Sequence, residues 1–475
     1  MYKFIIFLAL LWQSAAIAQV FTSFPPNMYA DSTAYPFYWG IASGDPLSDR
    51  VILWTKAEKT DDDLSPIPLT WEISSDSTFS TIINNGTIMA TIEKDWTAKV
   101  DADNLQAYTT YYYRFTDTEG NSSRIGRTKT APSGSIDELK FAVASCSSIF
   151  SGYFNAYRRI GERNDIDLFI HVGDYVYDFV DGDERVRIPE PEPTEPFTLQ
   201  EWHWRHAYYL LDPDLRYARQ QHPMIAMWDN HDIELNNISE SVQAFRNYLP
   251  MRDTPGEAIE KAYQKLQYGD LVDIFVSDVL LYKNIDSLAV GEYSMLGNEQ
   301  YEWLTEGLLN STAKWRFITS QNMMSLWNAE GLPPLPGLTD GPVFDPSSWD
   351  GHFLEREMLL NFIKDNTIDN CMVLSGDAHM SFIMDLPIYP LDSLQYIPST
   401  GEGSVAVEFL PTSITRGNFD EQGIPENIAL NVAIILLSIN PHHIFMQPVK
   451  HGYGTLTVRA DSTVAKFWYS PILSL

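Results

Sequence analysis

Four short clusters hold the residues of this 475-residue chain that could do chemistry. They are Ser145-Cys146, Gly173-Asp174-Tyr175-Val176-Tyr177, Asp229-Asn230-His231-Asp232 and Gly376-Asp377-Ala378-His379. Each one closes a short apolar run. A single Gly-Asp in such a place is usually only a turn, and a single Asn-His-Asp is usually a helix cap with a satisfied histidine. Four of them in series are not explained that way. The thiol of Cys146, the carboxylate of Asp174 and the phenol of Tyr177 together would suit a hard trivalent cation such as iron(III). The whole set reads as a multinuclear metal site.

Positioning these groups requires that each cluster sit at a strand tip. Lys140 to Ser145 is a short strand of apolar and small residues. Phe154, Tyr157 and Ile160 follow at helical spacing within Phe154 to Arg163, and Asp167 to Val172 is an apolar run of buried-strand type. Two parallel strands joined by a helix put their carboxyl ends on one edge of the sheet, where open α/β sheets bind ligands. Pro223 to Trp228, Leu271 to Val276, Trp315 to Thr319 and Met372 to Leu374 read as further strands. Leu199 to Tyr209, Leu215 to Gln220 and Leu354 to Asn366 read as helices, and Gly452 to Tyr469 as a closing hairpin.

Upstream, the text changes. Arg50 to Lys56, Leu69 to Ser74, Ile88 to Ile92, Thr97 to Val100, Thr110 to Thr116 and Ser123 to Thr128 are strand candidates separated by turn clusters. That spacing predicts a small all-β domain of immunoglobulin or fibronectin type over 36–132. Ala131 to Ser135 is the hinge, and 138–475 forms the α/β catalytic domain. A loop rich in proline and glutamate, RIPEPEPTEPF, is expected at the surface. There is no internal repeat.

The net charge of −31 argues against nucleic acid or an anionic membrane as partner. An anionic substrate would then need local cations at its site. The first 18 residues have the form of a Sec-type signal peptide: Lys3, an apolar stretch from Phe4 to Trp12, and Ala16-Ile17-Ala18 before the cut. The mature protein is expected to be secreted or periplasmic. Ile428 to Ile439, too short to span a bilayer, is expected to be a buried helix. There are two cysteines, Cys146 and Cys371. One ends its strand and the other opens its own, so parallel strands would hold the thiols roughly 20 Å apart. A disulfide needs Cα atoms within ~7 Å, so two free thiols are expected.

The order Gly-Asp-x-x-Tyr, Asn-His-acid and Gly-x-x-His resembles the calcineurin-like metallophosphoesterases. Cysteine in the first cluster, with SGYFNAYRRI, HVGDYVYD, WDNHD and LSGDAH, is similar to the PhoD family of secreted alkaline phosphatases and phosphodiesterases. FYWGIASGDPLSDRVILWTK and NPHHIFMQPVKHGYGTLTV resemble that family's opening and closing segments, so the resemblance covers nearly all the mature chain. It implies an α/β/β/α metallophosphoesterase sandwich behind the small β-domain. It implies iron(III) at Cys146, Tyr177 and His379, with Asp174 bridging to calcium held by Asn230 and Asp377. Catalysis would fall to His231 and Asp174, with hydroxide between the metals attacking the phosphorus of a phosphate mono- or diester. Tyr175 is expected only to pack, and His171, Trp228 and Asp232 to support the site rather than bind metal.

Three departures matter. Asparagine stands at position 230, lowering the charge of the second site. No arginine follows Asp278, so the phosphate contact falls to Arg158 or Arg416. The signal has no twin arginine. The expected partner is a small phosphate ester, the protein acting as a monomer. Two rival readings are a purple-acid-type phosphatase or nucleotidase, which Cys146 and Asp377 oppose, and a secreted binding protein with an inactive metal domain, which the intact ligand set opposes.

Overall fold

The computed structural model describes residues 30–58, 63–180, 188, 191–253, 256–283, 294–330 and 347–474. The expected signal peptide, and part of the proline- and glutamate-rich loop, lie outside the described residues.

The fold is mixed α/β with several sheets. The first strands are β1 (Ile41–Gly44), β2 (Val51–Lys56), β3 (Ile67–Ser74), β4 (Ile82–Ala90), β5 (Thr97–Ala102), β6 (Thr110–Asp117) and β7 (Gly126–Lys129). Next come β8 (Glu138–Ala144), α1 (Asn155–Gly161), β9 (Leu168–Val172), α2 (Leu199–Tyr209), α3 (Pro213–Gln221), β10 (Pro223–Met227) and α4 (Ile238–Tyr248). The third group is β11 (Gln264–Tyr268), β12 (Val272–Val276), α5 (Gly297–Asn310), β13 (Trp315–Ser320), α6 (Phe353–Asp365) and β14 (Cys371–Ser375). Last are β15 (Ser381–Pro387), β16 (Ser404–Leu410), α7 (Glu426–Ile439), β17 (His443–Gln447), β18 (Gly452–Arg459) and β19 (Thr463–Tyr469).

An eight-stranded sheet runs β19-β18-β8-β9-β10-β1-β2-β5, and a seven-stranded one runs β11-β12-β13-β14-β16-β15-β17. A third sheet is β4-β3-β6-β7. Strand alternation explains the layering. Leu139, Phe141 and Val143 of β8, Ile170 and Val172 of β9, and Ile225 and Met227 of β10 enter one core with Ile274, Phe317, Leu374 and Phe409 of the other large sheet. Ala142, Ala144, Phe169, Met224 and Ala226, at the intervening positions, join a second core with Tyr157, Trp202, Leu215 and Phe245 of the helices. The second large sheet is covered outside by Leu304, Leu308, Leu359 and Ile363 from α5 and α6.

The helices start where local chemistry lets them. Thr198 and Glu201 form a reciprocal capping box at α2, and Asp212 caps α3 ahead of Pro213. The expected buried helix near the end, α7, departs from its forecast. Ala429, Val432, Ala433 and Leu436 are buried, but Ile434 is 65% exposed and Ile428 and Ile435 nearly half. An apolar run without polar punctuation does not reveal which side faces out.

The N-terminal strands also do something their sequence does not announce. β1 pairs in parallel with β10, Ser43 against Pro223 and Gly44 against Met224, so β1, β2 and β5 extend the large sheet. Residues Ile41, Val51, Leu53, Ala98 and Ala102 from these strands share a core with Leu69, Ile73, Tyr113 and Phe115 of the four-stranded sheet. Gly44 permits the junction, because a Cβ there would lie 2.5 Å from the Pro250 carbonyl and 2.6 Å from that of Met224. The tetrapeptide of β1 is too short and too small in its side chains to signal a strand.

Candidate metal centre

The tips of β8, β9 and β10 from one sheet and β14 from the other converge. Their loops are laced together: Cys146 N donates to the Gly173 carbonyl at 3.1 Å, and Ser147 N to that of Asp174 at 3.0 Å. Gly376 lets the second sheet come this close, since a Cβ there would lie 2.9 Å from Ser145 Cβ and 3.1 Å from the Val172 carbonyl. Cys146, Asp174, Asp377 and His379 all have left-handed backbones, with φ of 56°, 53°, 66° and 59°. For a residue with a side chain, each such position costs about 1–3 kcal/mol, and strain of this kind collects at functional sites.

Ligand atoms of Cys146, Asp174 and His379 lie within 4.8 Å of one another, and so do those of Asp174, Asp229 and Asp377. Asp174 belongs to both groups. Tyr177 joins the first, its hydroxyl donating to Asp174 Oδ2 at 2.9 Å and lying 3.5 Å from His379 Nε2. His379 Nδ1 donates to the Gly417 carbonyl at 3.1 Å. A carbonyl can only accept, so the proton sits on Nδ1 and Nε2 keeps its lone pair for a metal. Burial, with help from the charges of Arg416 and His231, pushes the His379 pKa well down and keeps the ring neutral.

The electrostatics of the anionic members point the same way. Burial first, then Asp174 and Asp377, pushes the Cys146 thiol well up. Tyr177 is raised by burial and by Asp174 and Cys146, and Asp229 by burial, Asp174 and Asp377. Asp229 Oδ2 is buried with no hydrogen-bond partner among the described residues. So many acceptors crowded together, with donors to match only some of them, is the arrangement that a cation completes. The thiol–phenol–imidazole side suits iron(III), and the carboxylate side suits a hard cation.

His231 sits on the rim. Its Nδ1 is 2.7 Å from Asp178 Oδ1, and its ring lies 4.2 Å from that of Tyr177. Burial lowers its pKa, but the Asp178 hydrogen bond and the Asp174 charge override this and raise it to about 9. Arg416 is only 5% exposed, with its guanidinium 5.4 Å from the centroid of the Tyr177 ring.

One expectation is corrected. Arg158 is not brought to the site: its Nε and Nη2 make a two-pronged contact with Asp214 of α3 at 2.9 and 3.0 Å. Arg416 lies against the ligand groups, its charge acting on Tyr177 and His379. Asn230 is exposed, and the carboxylate beside it, Asp229, is grouped with Asp174 and Asp377. Asp229 could have been read from its place, since it follows β10 as closely as Asp174 follows β9. Asp178 and Asn322 were also missed; Asn322 Nδ2 donates to Asp377 Oδ2 at 3.1 Å. Asp278 accepts from the Trp228 indole and from the Leu280 and Leu281 amides. Asp232 accepts from the amides of Tyr175, Val176 and Asp229, a supporting role as expected. Tyr175 packs, its hydroxyl 3.1 Å from Arg219. Both cysteines are free and buried, and they follow or open strands of different sheets.

The model of the PhoD-like phosphatase family matches residues 141–241 and 235–467, and that of its N-terminal domain matches 23–132. The chain belongs to the PhoD-like phosphatase family. Alkaline phosphatase D of Bacillus subtilis (strain 168) is 30% identical over 96% of this chain and 82% of its own length. The solved PhoD structure superimposes with a TM-score of 0.81 at 29% identity, covering 93% of this chain and 88% of that one. Arg416→Ala should raise KM for a phosphate ester by roughly 10- to 100-fold, the scale of a lost charge-assisted hydrogen bond. Arg158→Ala should leave KM unchanged and lower only the melting temperature.

Proposed function

We propose that this protein is a metal-dependent phosphoric ester hydrolase acting on small phosphate mono- or diesters outside the cytoplasm. The observation that carries the reading is Asp174, one carboxylate shared by two ligand groups with Arg416 and His231 beside it. The donor set fits iron(III) at Cys146, Asp174, Tyr177 and His379, and calcium at Asp174, Asp229, Asn230 and Asp377. The chemistry such cations supply is neutralisation of the phosphoryl group and a hydroxide nucleophile near neutral pH.

The chain's own groups do the rest. Arg416 receives the phosphoryl oxygens beside the ligand groups. Asp178 holds His231 by Nδ1, so Nε2 is the atom that gives its proton to the departing oxygen. Ser147 donates to the Tyr175 carbonyl at 2.9 Å, which supports a loop-shaping role rather than attack on phosphorus. The two large sheets with helices outside support the α/β/β/α reading, and the core shared by the small sheet with β1, β2 and β5 supports an immunoglobulin-like layer pair. Among the described residues no helix is long and apolar enough to cross a membrane. The reading takes the protein as a monomer.

The test is metal removal with a substrate panel. Calcium chelation should abolish hydrolysis, and calcium should restore it. Full turnover by a protein shown to be calcium-free would sink the second site, and no turnover of any mono- or diester by fully loaded protein would sink the activity.

A further inference from the structure

A loop without regular structure, Pro411 to Asn418, runs from β16 beneath the ligand-bearing tips. Thr412 Oγ1 and Ser413 N donate to the His379 carbonyl at 2.7 and 3.0 Å. Ile414 N donates to the Ser145 carbonyl at 3.0 Å, and Arg416 N to that of Cys146 at 3.2 Å. In return the Gly417 carbonyl takes the Nδ1 proton of His379. The loop therefore grips both sides of the first ligand group and presents Arg416 to it. Nothing in its own sequence dictates its shape, so the shape must be imposed.

The anchor is a buried chain of polar groups. His451, 5% exposed and next to β18, has Nδ1 3.0 Å from Ser413 Oγ and Nε2 3.4 Å from Glu421 Oε2. Ser413 spends its one hydroxyl proton on the Arg416 carbonyl at 2.6 Å. His451 thus faces Oγ with Nδ1 and the carboxylate with Nε2. Burial raises the Glu421 pKa, but the hydrogen bond and charge of His451 more than reverse this, so the carboxylate stays ionised. Glu421 also accepts from Asn418 N at 2.9 Å, and Gly452 N donates to the Ser413 carbonyl at 3.0 Å. Each link is directional and out of water, where geometry is held most firmly.

We propose that His451 is a positioning residue for phosphate: braced by Glu421 and acting through Ser413, it fixes the Arg416 backbone and so places the guanidinium that meets the phosphoryl group. The ligand rests on the function proposed above, but the arrangement can be tested by binding alone. Inorganic phosphate would be titrated calorimetrically into the metal-loaded full chain, as wild type, His451→Gln, Arg416→Ala, the double variant and Glu421→Gln, with metal content and melting temperature alongside. His451→Gln should weaken phosphate about tenfold and Arg416→Ala roughly 10- to 100-fold, with metals retained. The double variant should bind no worse than Arg416→Ala alone, because the two act in series. Glu421→Gln, which keeps His451 and an acceptor for Asn418, should fall between wild type and His451→Gln, and it carries the test if His451→Gln does not fold. Unchanged phosphate affinity with a lower melting temperature would make His451 merely structural, and multiplied losses in the double variant would break its link to Arg416. A wild type that binds phosphate yet hydrolyses no ester overturns the activity and leaves this cycle standing. One that binds no phosphate overturns both.

Discussion

Cys146→Ser should give a folded protein without iron and with activity down by more than about 100-fold. Groups that merely orient a ligand are worth 10- to 100-fold, so a direct ligand sets that as a floor. Burial and the charges of Asp174 and Asp377 already make an anion at Cys146 costly. Only a bound cation can hold the sulfur as thiolate, and a serine hydroxyl is far harder to ionise and a poorer ligand. The strained backbone at position 146 gains nothing from the change. Cys371→Ser is the control. It is buried at the start of β14, where its thiol contacts the Ile368 carbonyl at 3.8 Å. Its loss should cost on the order of 1 kcal/mol of stability and leave metal and rate intact. Tyr177→Phe should remove the visible absorption that a phenolate gives to iron(III). Metal content, spectra and rates of the three variants beside wild type decide the matter: an iron-replete, active Cys146→Ser protein refutes the ligand assignment.

His231→Ala should retain its metals and lose rate by roughly 10²–10⁴, the usual range for a general acid. The imidazole is fixed at one nitrogen by Asp178 and flanked by the Tyr177 and Phe179 rings, so its other nitrogen has a set direction. The loss should be greatest for alkyl esters, whose departing oxygen needs a proton, and small for nitrophenyl esters, which leave without one. Equal losses for both would end the proton-transfer role and leave phosphate positioning. The comparison uses kcat, so that a change in binding is not mistaken for one in chemistry.

The strand tips could be read in advance because a buried strand is an unbroken apolar run and whatever polar residue follows is thrown to the edge. Cys146, Asp174, Asp377 and His379 were visible for that reason. Asp229 and Asn230 are not separable by the apolar run alone, since a strand shows where it ends but not which of two neighbours is buried. Arg158 and Arg416 could not be ranked, because the choice depends on Asp214, 56 residues away from Arg158 in the chain. The loop under the site was legible only as the position of Arg416: its anchors, His451 and Glu421, are remote from it or lack any periodic pattern. β1 escaped notice because its pairing rests on what Gly44 does not have.

The order of the eight-stranded sheet has a bearing on how the centre is assembled in time. β8, which carries Cys146, lies between β9 and β18, while β10, which carries Asp229, lies between β9 and β1. The sheet therefore closes on partners drawn from near both ends of the polypeptide, a topology of high contact order that folds slowly. As the chain is made or threaded through a channel, the Cys146 pocket has no complete wall until Arg459 has emerged. Until then the thiol is open to oxidants and to soft metals that bind sulfur tightly. On the iron reading, loading the site is a race between sheet closure and capture, set by the redox state and metal supply where the last strands fold.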